Sequence, residues 1–235
     1  MIPASKPRTI LGEFTPVEFV FLAFIAIMAI ISIINFNTVD LSRILINLGT
    51  MILVIFAVNW LSNTSDAKWI RFLHSFYVVP LVLFVFKTVE KISYPIHGHD
   101  FDEVLINIDR SLLGTDATTW LTAHFPVTPI ITELLVICYF SYYFLPVAIA
   151  IELFMRRHNT PDEDHSNDDL EQFRFIIIYS LLGSYICYLL MPGVGPRFTL
   201  HEFSNYSNEL PGVWLTDGIR WLINLGENIT GTMTT

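Results

Sequence analysis

Charge is scarce in this 235-residue chain: Asp, Glu, Lys and Arg together make up 15 % of it, where soluble domains run near about a quarter. With so few charges a protein of this size cannot give each helix a polar face, so a water-soluble globule is excluded. Cysteine is equally scarce. Cys138 and Cys187 are the only two, and both fall inside apolar runs, which excludes a disulfide framework. Basic residues are outnumbered, and the formal net charge is −9. The acids gather mainly between His97 and Asp116 and between Asp162 and Glu171, as expected of solvated loops, and no basic surface for nucleic acid is formed. The sequence contains no phosphate-binding P-loop, no His-Glu-x-x-His, no paired Cys-x-x-Cys, and no internal repeat or low-complexity tract.

What the chain has in abundance is apolar length. Hydrophobic residues make up 53 %, and 19 of the residues are phenylalanine. A helix rises 1.5 Å per residue, so a hydrocarbon core about 30 Å thick takes roughly 20 apolar residues. Five stretches meet that length or approach it: about Val17–Ile34, Ile44–Leu61, Trp69–Phe86, Pro129–Phe154 and Phe173–Met191. The third begins with Arg71 and His74 and carries Pro80 in its middle. The run after the polar N-terminus is long and lacks a small-residue cleavage site, so it is read as a retained span rather than a signal peptide. The predicted fold is all-α: a polytopic membrane helix bundle of about five transmembrane helices, with residues 1–16 as a cytoplasmic N-terminal segment and 17–235 as one membrane domain.

Basic residues orient the spans. With a cytoplasmic N-terminus, the inside segments hold Lys6, Arg8, Lys68, Arg71, Arg156, Arg157 and Arg174, seven of the 13 Lys and Arg, and the longer outside segments hold the rest. Two outside segments have amphipathic patterns. In Phe101–Leu113, Val104, Leu105, Ile108, Leu112 and Leu113 share one helical face, Gly114 follows as a stop, and a further turn is expected around Trp120. In Val213–Leu225, Trp214 and Trp221 stand among apolar and polar residues as in a segment lying at the bilayer interface. Both are predicted as interfacial helices.

The densest special sequence closes the fifth span: YICYLLMPGVGPRF, residues 185–198. Pro192 ends a helix, Gly193 and Gly195 free the backbone, and Pro196 and Arg197 follow. Such a turn aims peptide N–H groups and one guanidinium at an anion, and the planar fork of Arg suits phosphate. The simpler alternative is a helix stop and an interfacial anchor. The tyrosines of YFSYY (139–143) and Tyr179, Tyr185 and Tyr188 are read as packing groups, with pocket lining as the alternative. Arg71 and His74 are read as snorkelling and ordinary helix contacts. His97, His99, Asp100 and Asp102 form a compact HGHDFD, read as a hydrated acidic loop, since no further residues complete a metal set. Asp109 is read as pairing with Arg110 or capping a turn. No metal and no cofactor are expected.

DEVLINIDRSLLG (102–114), a Trp-Leu pair, YFSYYFLP (139–146) and PGVGPRF (192–198) occur in an order that resembles the phosphatidic acid phosphatase type 2 superfamily, and most closely its branch related to inositol phosphorylceramide synthases. The resemblance covers about residues 100–200. It implies a six-span enzyme that cleaves or transfers phosphate-ester headgroups of membrane lipids near the outer surface. It also implies that Arg197, with Gly195 and Pro196, contacts the phosphate on the extracytoplasmic side. The sequence departs from the pattern in three ways. Leu190 stands where the wider superfamily has Lys, no Pro-Ser-x-His follows Arg197, and the one later histidine, His201, lacks that setting. Attack on phosphorus needs a nucleophile and an acid for the leaving group. With neither in the pattern, no catalytic residue is assigned, and the chain is expected to be inactive alone, as a C-terminally truncated member. The competing expectations are a non-catalytic membrane scaffold or lipid-binding module and, behind it, a small transporter.

Overall fold

In the computed structural model, residues 14–65, 67–116, 120–121, 124–125, 128–159, 166–193 and 212–222 are described. The secondary structure is helical: α1 (Pro16–Ile34), α2 (Leu41–Thr64), α3 (Lys68–Phe76), α4 (Val78–His97), α5 (Asp102–Leu113), α6 (Pro129–Asn159) and α7 (Ser166–Leu190), with a short turn of helix at 216–222. Five stretches are long and apolar enough to cross a bilayer: Pro16–Ile34, Leu41–Thr64, Lys68–His97, Pro129–Arg156 and Asp169–Leu190. The chain is therefore an integral, multi-pass, all-α membrane protein. It divides into two compact units, 1–98 with 150–192, and 99–149 with 193–235.

In the first unit α4 packs on α1, α2 and α7, and α1 also meets α2 and α7. The seam follows helical spacing: Val17, Phe21, Phe24, Ile25 and Met28 of α1 meet Ile44, Leu48, Met51 and Ile55 of α2 and Leu81, Val85, Val89 and Ile92 of α4. The other faces carry exposed Phe19, Ile30, Ile34, Ile46, Leu53 and Leu83. Apolar surface on the outside is what a bundle solvated by lipid requires, where every backbone group is satisfied within its own helix. Polar contacts tie the helices where the seam runs out. Asn47 donates to Thr88 (3.4 Å), and Ser93 and His97 at the end of α4 donate to the carbonyls of Tyr188 and Leu189 at the end of α7, both at 3.0 Å.

The third span corrects its sequence reading. It runs eleven residues past Phe86, and Lys87, Glu90 and Lys91 lie inside the continuous helix α4 up to Gly98. Lys87 pairs with Glu90 (3.8 Å), and its ammonium lies 5.8 Å from the centre of the Phe86 ring, so the charges do not end the helix. Gly98 ends it in a left-handed conformation (φ 66°). The span is also broken. Helix α3 stops at Phe76 and α4 starts at Val78, with Tyr77 between. Pro80 is the local cause, because it supplies no N–H to the carbonyl of Phe76 one turn earlier. The first, second, fourth and fifth spans begin and end within a few residues of expectation, except that α7 starts at Ser166, seven residues early.

Asp40 caps α2. Its carboxylate accepts from the Ser42 hydroxyl (2.8 Å) and from the backbone N–H of Arg43 (3.1 Å), and these bonds hold its pKa below the ordinary value. A depressed folded-state pKa gives stabilisation that is present above about pH 4 and is lost as pH falls through the lowered value. Asp40→Ala is therefore expected to lower the thermal midpoint slightly at neutral pH and to flatten the acid limb of the midpoint-against-pH curve.

In the second unit the first expected surface segment is helical over Asp102–Leu113, and the second, expected over 213–225, is helical over 216–222 among the described residues. Helix α5 leaves Val104, Leu105, Ile108, Leu112 and Leu113 exposed on one face and ends at Gly114 (φ 73°). Such a face is stable only against lipid or protein. Arg110 corrects its assigned pairing: it grips Asp116, not Asp109, by Nε–Oδ1 at 2.7 Å and Nη2–Oδ2 at 3.2 Å, which raises the guanidinium's pKa. The turn around Trp120 is present, with the Trp120 and His124 rings stacked at 4.6 Å. In 212–222, Trp214 and Trp221 are exposed, and Ile219 is buried.

Candidate functional site

The sequence placed the phosphate-contacting group at Gly195, Pro196 and Arg197, and all three lie outside the described residues, as does His201. The two ends of that segment are described, however. On the first side α7 stops at Leu190, and the chain passes Met191 and Pro192 to Gly193. Gly193 lies against the first turn of α5: a Cβ there would stand 3.2 Å from Oδ1 of Asp102 and 3.5 Å from Cδ1 of Leu105. Glycine lets the backbone approach this closely. Asp102 is itself buried (4 % exposed). A carboxylate taken out of water at the start of a helix gains from the free N–H groups and the dipole there. The acidic segment 97–102 is thus not uniformly hydrated. His97 donates to a carbonyl at the end of α7, the ring of His99 lies 5.0 Å from that of Phe101, and Asp102 is inside.

On the second side the backbone of 213–216 wraps around the carboxylate of Glu133. The N–H groups of Val213 (2.8 Å), Trp214 (3.2 Å) and Thr216 (3.3 Å) and the hydroxyl of Thr216 (2.6 Å) donate to Oε2, and the N–H of Leu215 donates to Oε1. Helix 216–222 is therefore capped by a side chain 83 residues away, in the first turns of α6. Gly212 is required just before it, because a Cβ there would overlap the Thr216 side chain. Nothing local in the sequence marks Glu133, since its partners are backbone groups far along the chain.

A second polar cluster lies in the first unit, at the opposite end of α4 from His97. Glu18 is fully buried. Oε2 accepts from the backbone N–H of Thr15 (2.7 Å) and from Asn59 Nδ2 (3.4 Å), and Oε1 accepts from the Tyr77 hydroxyl (3.0 Å) and lies 3.6 Å from His74 Nε2. Asn63 in turn donates to Oδ1 of Asn59 (3.0 Å). Beside it, Arg174 of α7 is buried (4 % exposed), pairs twice with Glu171 (2.7 and 2.9 Å), and donates to the carbonyl of His74 (3.2 Å). His74 is therefore more than the ordinary helix contact read from sequence: its ring meets Glu18 while its carbonyl takes Arg174. These contacts converge on the break at Tyr77, where backbone groups need partners from outside the helix.

Tyr139 and Tyr143 bond to each other by their hydroxyls (3.0 Å) and are exposed, as is Tyr142, whereas Tyr185 and Tyr188 pack against Phe86 at 5.5 and 6.0 Å between ring centres. Packing between helices thus accounts for Tyr185 and Tyr188, whereas Tyr179 is exposed beside Phe175 of its own helix, and the tyrosines of α6 are exposed too. Compared with family models, characterised proteins and solved structures, the chain matches none.

Proposed function

We propose that the protein holds a phosphate-bearing lipid headgroup at the extracytoplasmic face of its membrane, on a scaffold of the phosphatidic acid phosphatase type 2 kind. Arg197 supplies the paired hydrogen bonds to phosphate, and Gly195 and Pro196 shape the turn that presents it. The observation that carries this reading is the seat of Gly193 on α5 beside buried Asp102. Gly193, near the start of one segment that bears the resemblance, lies there against Asp102 and Leu105, at the start of another. Exposed apolar faces on α5 and around Trp214 and Trp221 favour a lipid source for the phosphate. The distribution of Lys and Arg supports a cytoplasmic N-terminus, which puts Arg197 outside. The superfamily's chemistry is phosphate-ester cleavage or transfer. These 235 residues carry no Pro-Ser-x-His after Arg197, so binding rather than turnover is their expected property.

The transporter reading draws on Glu18, a buried carboxylate inside a span. Its two oxygens already meet Thr15, Asn59, Tyr77 and His74, which suits a lock between helices better than a site for passing cations.

The test uses the purified chain in detergent. Dioleoyl phosphatidic acid is expected to bind at least tenfold more tightly than phosphatidylcholine, and Arg197→Ala is expected to remove that preference. Inorganic phosphate is the second arm: if it competes at millimolar concentration, the site reads phosphate alone and the lipid part falls. Equal binding of the two lipids, or an unchanged Arg197→Ala variant, refutes the proposal. Phosphate release from phosphatidic acid above the Arg197→Ala control would refute the expectation of inactivity.

A further inference from the structure

We infer that the outward stripe of α4 formed by Leu83, Lys87, Lys91 and Tyr94 seats one phospholipid of the bilayer, with its phosphate at the two lysines. The four residues recur at helical spacing and share one face of α4. Leu83 (63 % exposed) and Tyr94 (59 %) are turned outward, Lys91 is exposed, and the side chain of Lys87 is 30 % exposed. The face therefore changes along its length, from apolar Leu83 through two cations to the amphipathic ring of Tyr94. A phospholipid has the same order, with its acyl chains below its phosphate and the aromatic belt at the interface. Contacts within the first unit set the depth. Asn59 meets Glu18 near Tyr77 and Asn47 meets Thr88, so α2 runs antiparallel to α4 and its start lies toward His97. Asn47 stands six residues past that start at Leu41, about 9 Å in, and Thr88 beside Lys87 lies level with it. Lys91 is one turn nearer the surface.

The ammonium of Lys87 is a second, independent observation. A snorkelling lysine buries its stem and keeps its charge in water. Lys87 does the reverse: part of its side chain is exposed while Nζ is buried, and no hydrogen-bond acceptor meets Nζ among the described residues. Its neighbours are the Glu90 carboxylate at 3.8 Å, beyond hydrogen-bond distance, and the Phe86 ring at 5.8 Å. Three N–H donors in apolar surroundings are costly without an acceptor, and an ionisable group inside a span marks a place where ligands bind. Glu90 balances only one of the two lysines, so the stripe keeps one positive charge. A phosphate diester carries one negative charge and has oxygens enough for both lysines. All of these residues lie in the first unit, and the seat does not depend on Arg197.

The experiment titrates dioleoyl phosphatidylcholine into the delipidated full chain in detergent and follows the rise of the thermal midpoint. Dioleoylglycerol, which has the same chains and no phosphate, is the control and is expected to give no comparable rise. Lys87→Met keeps the stem and removes the charge; it is expected to raise the half-saturating phosphatidylcholine concentration about fivefold, and Lys91→Gln about threefold. Glu90→Gln removes the group that competes for Lys87 and is expected to lower that concentration about threefold. Lys68→Gln, at the far end of the same span, is expected to change nothing. Phosphatidic acid and phosphatidylcholine share the phosphate that the stripe reads, so Lys87→Met is expected to leave the preference assigned to Arg197 intact. Loss of that preference in Lys87→Met would mean that a single site serves both, which overturns the separate seat. An unchanged titration in Lys87→Met, or an equal response to dioleoylglycerol, overturns the inference. So does competition by millimolar inorganic phosphate, which would mean that the lysines read a free anion. Should Lys87→Met fail to give a monodisperse protein, Lys91→Gln against Lys91→Arg carries the same decision, since only the second keeps the charge.

Discussion

Glu18→Ala is expected to destabilise the bundle by about 3 kcal/mol, seen as a large fall of the thermal midpoint in detergent, and to be the most damaging single change in the first unit. The carboxylate is fully buried, and its donors come from three places in the chain: Thr15 on its own helix, Asn59 on α2, and Tyr77 and His74 at the break of the third span. Alanine leaves all of them facing a cavity. Each orphaned donor costs about 1–3 kcal/mol in a buried setting, although such values fall when neighbouring groups find new partners. Membrane proteins allow more of that rearrangement than soluble ones, which is why the total is set near the low end of the range for a broken buried ionic cluster. Glu18→Gln keeps the shape and one good acceptor, so about a third of the loss is expected. An alanine variant that melts with the native chain would mean that the cluster contributes nothing to the packing of α1, α2 and α4.

Arg174→Ala is expected to follow, at about 2 kcal/mol. The guanidinium is almost wholly enclosed, and it does two jobs that a point charge could not share. Its Nη1 donates to both oxygens of Glu171 while its Nη2 reaches the carbonyl of His74 at 3.2 Å. Its partner Glu171 is a third exposed, so the ion pair is partly screened by solvent and contributes less than a buried one. The larger part of the loss comes from the lost hydrogen bond to the carbonyl of His74 and from the buried space left by the guanidinium. Arg174→Lys is expected to recover only part of the stability, because an ammonium lacks the planar fork. Full recovery by lysine would show that charge alone suffices and that the helix break needs no guanidinium.

Much of the fold was legible in the sequence because lipid leaves so few options. An apolar run of about 20 residues must be a helix that spans, and the five such runs became five spanning helices. The two amphipathic segments were legible for a similar reason, since a single apolar face on a short helix needs a surface to lie on. What misled was the assumption that charge ends a span. Lys87 and Glu90 pair within α4, and the helix continues through Lys91 to His97. The polar clusters were not legible at all. Glu18 precedes an apolar block like any first-turn acid, and nothing near it in sequence announces Asn59 or Tyr77, 41 and 59 residues away. Glu133 is hidden for the same reason, 80 residues from its first partner. Sequence patterns report the periodicity of one helix; contacts between distant helices leave no periodic trace.

The central claim, a lipid-phosphate site at Arg197 on the outer face, is tested most directly by labelling beside it. Phe198→Cys is introduced into a chain whose free cysteines, Cys138 and Cys187, are both replaced by alanine. A membrane-impermeant maleimide is then applied to intact cells, and to purified protein with and without dioleoyl phosphatidic acid. Labelling of intact cells is expected, together with slower labelling of the purified chain when phosphatidic acid is present. That protection is expected to vanish when Arg197→Ala is added. Labelling only after the cells are permeabilised would contradict the sidedness, and a labelling rate indifferent to phosphatidic acid would contradict the site itself.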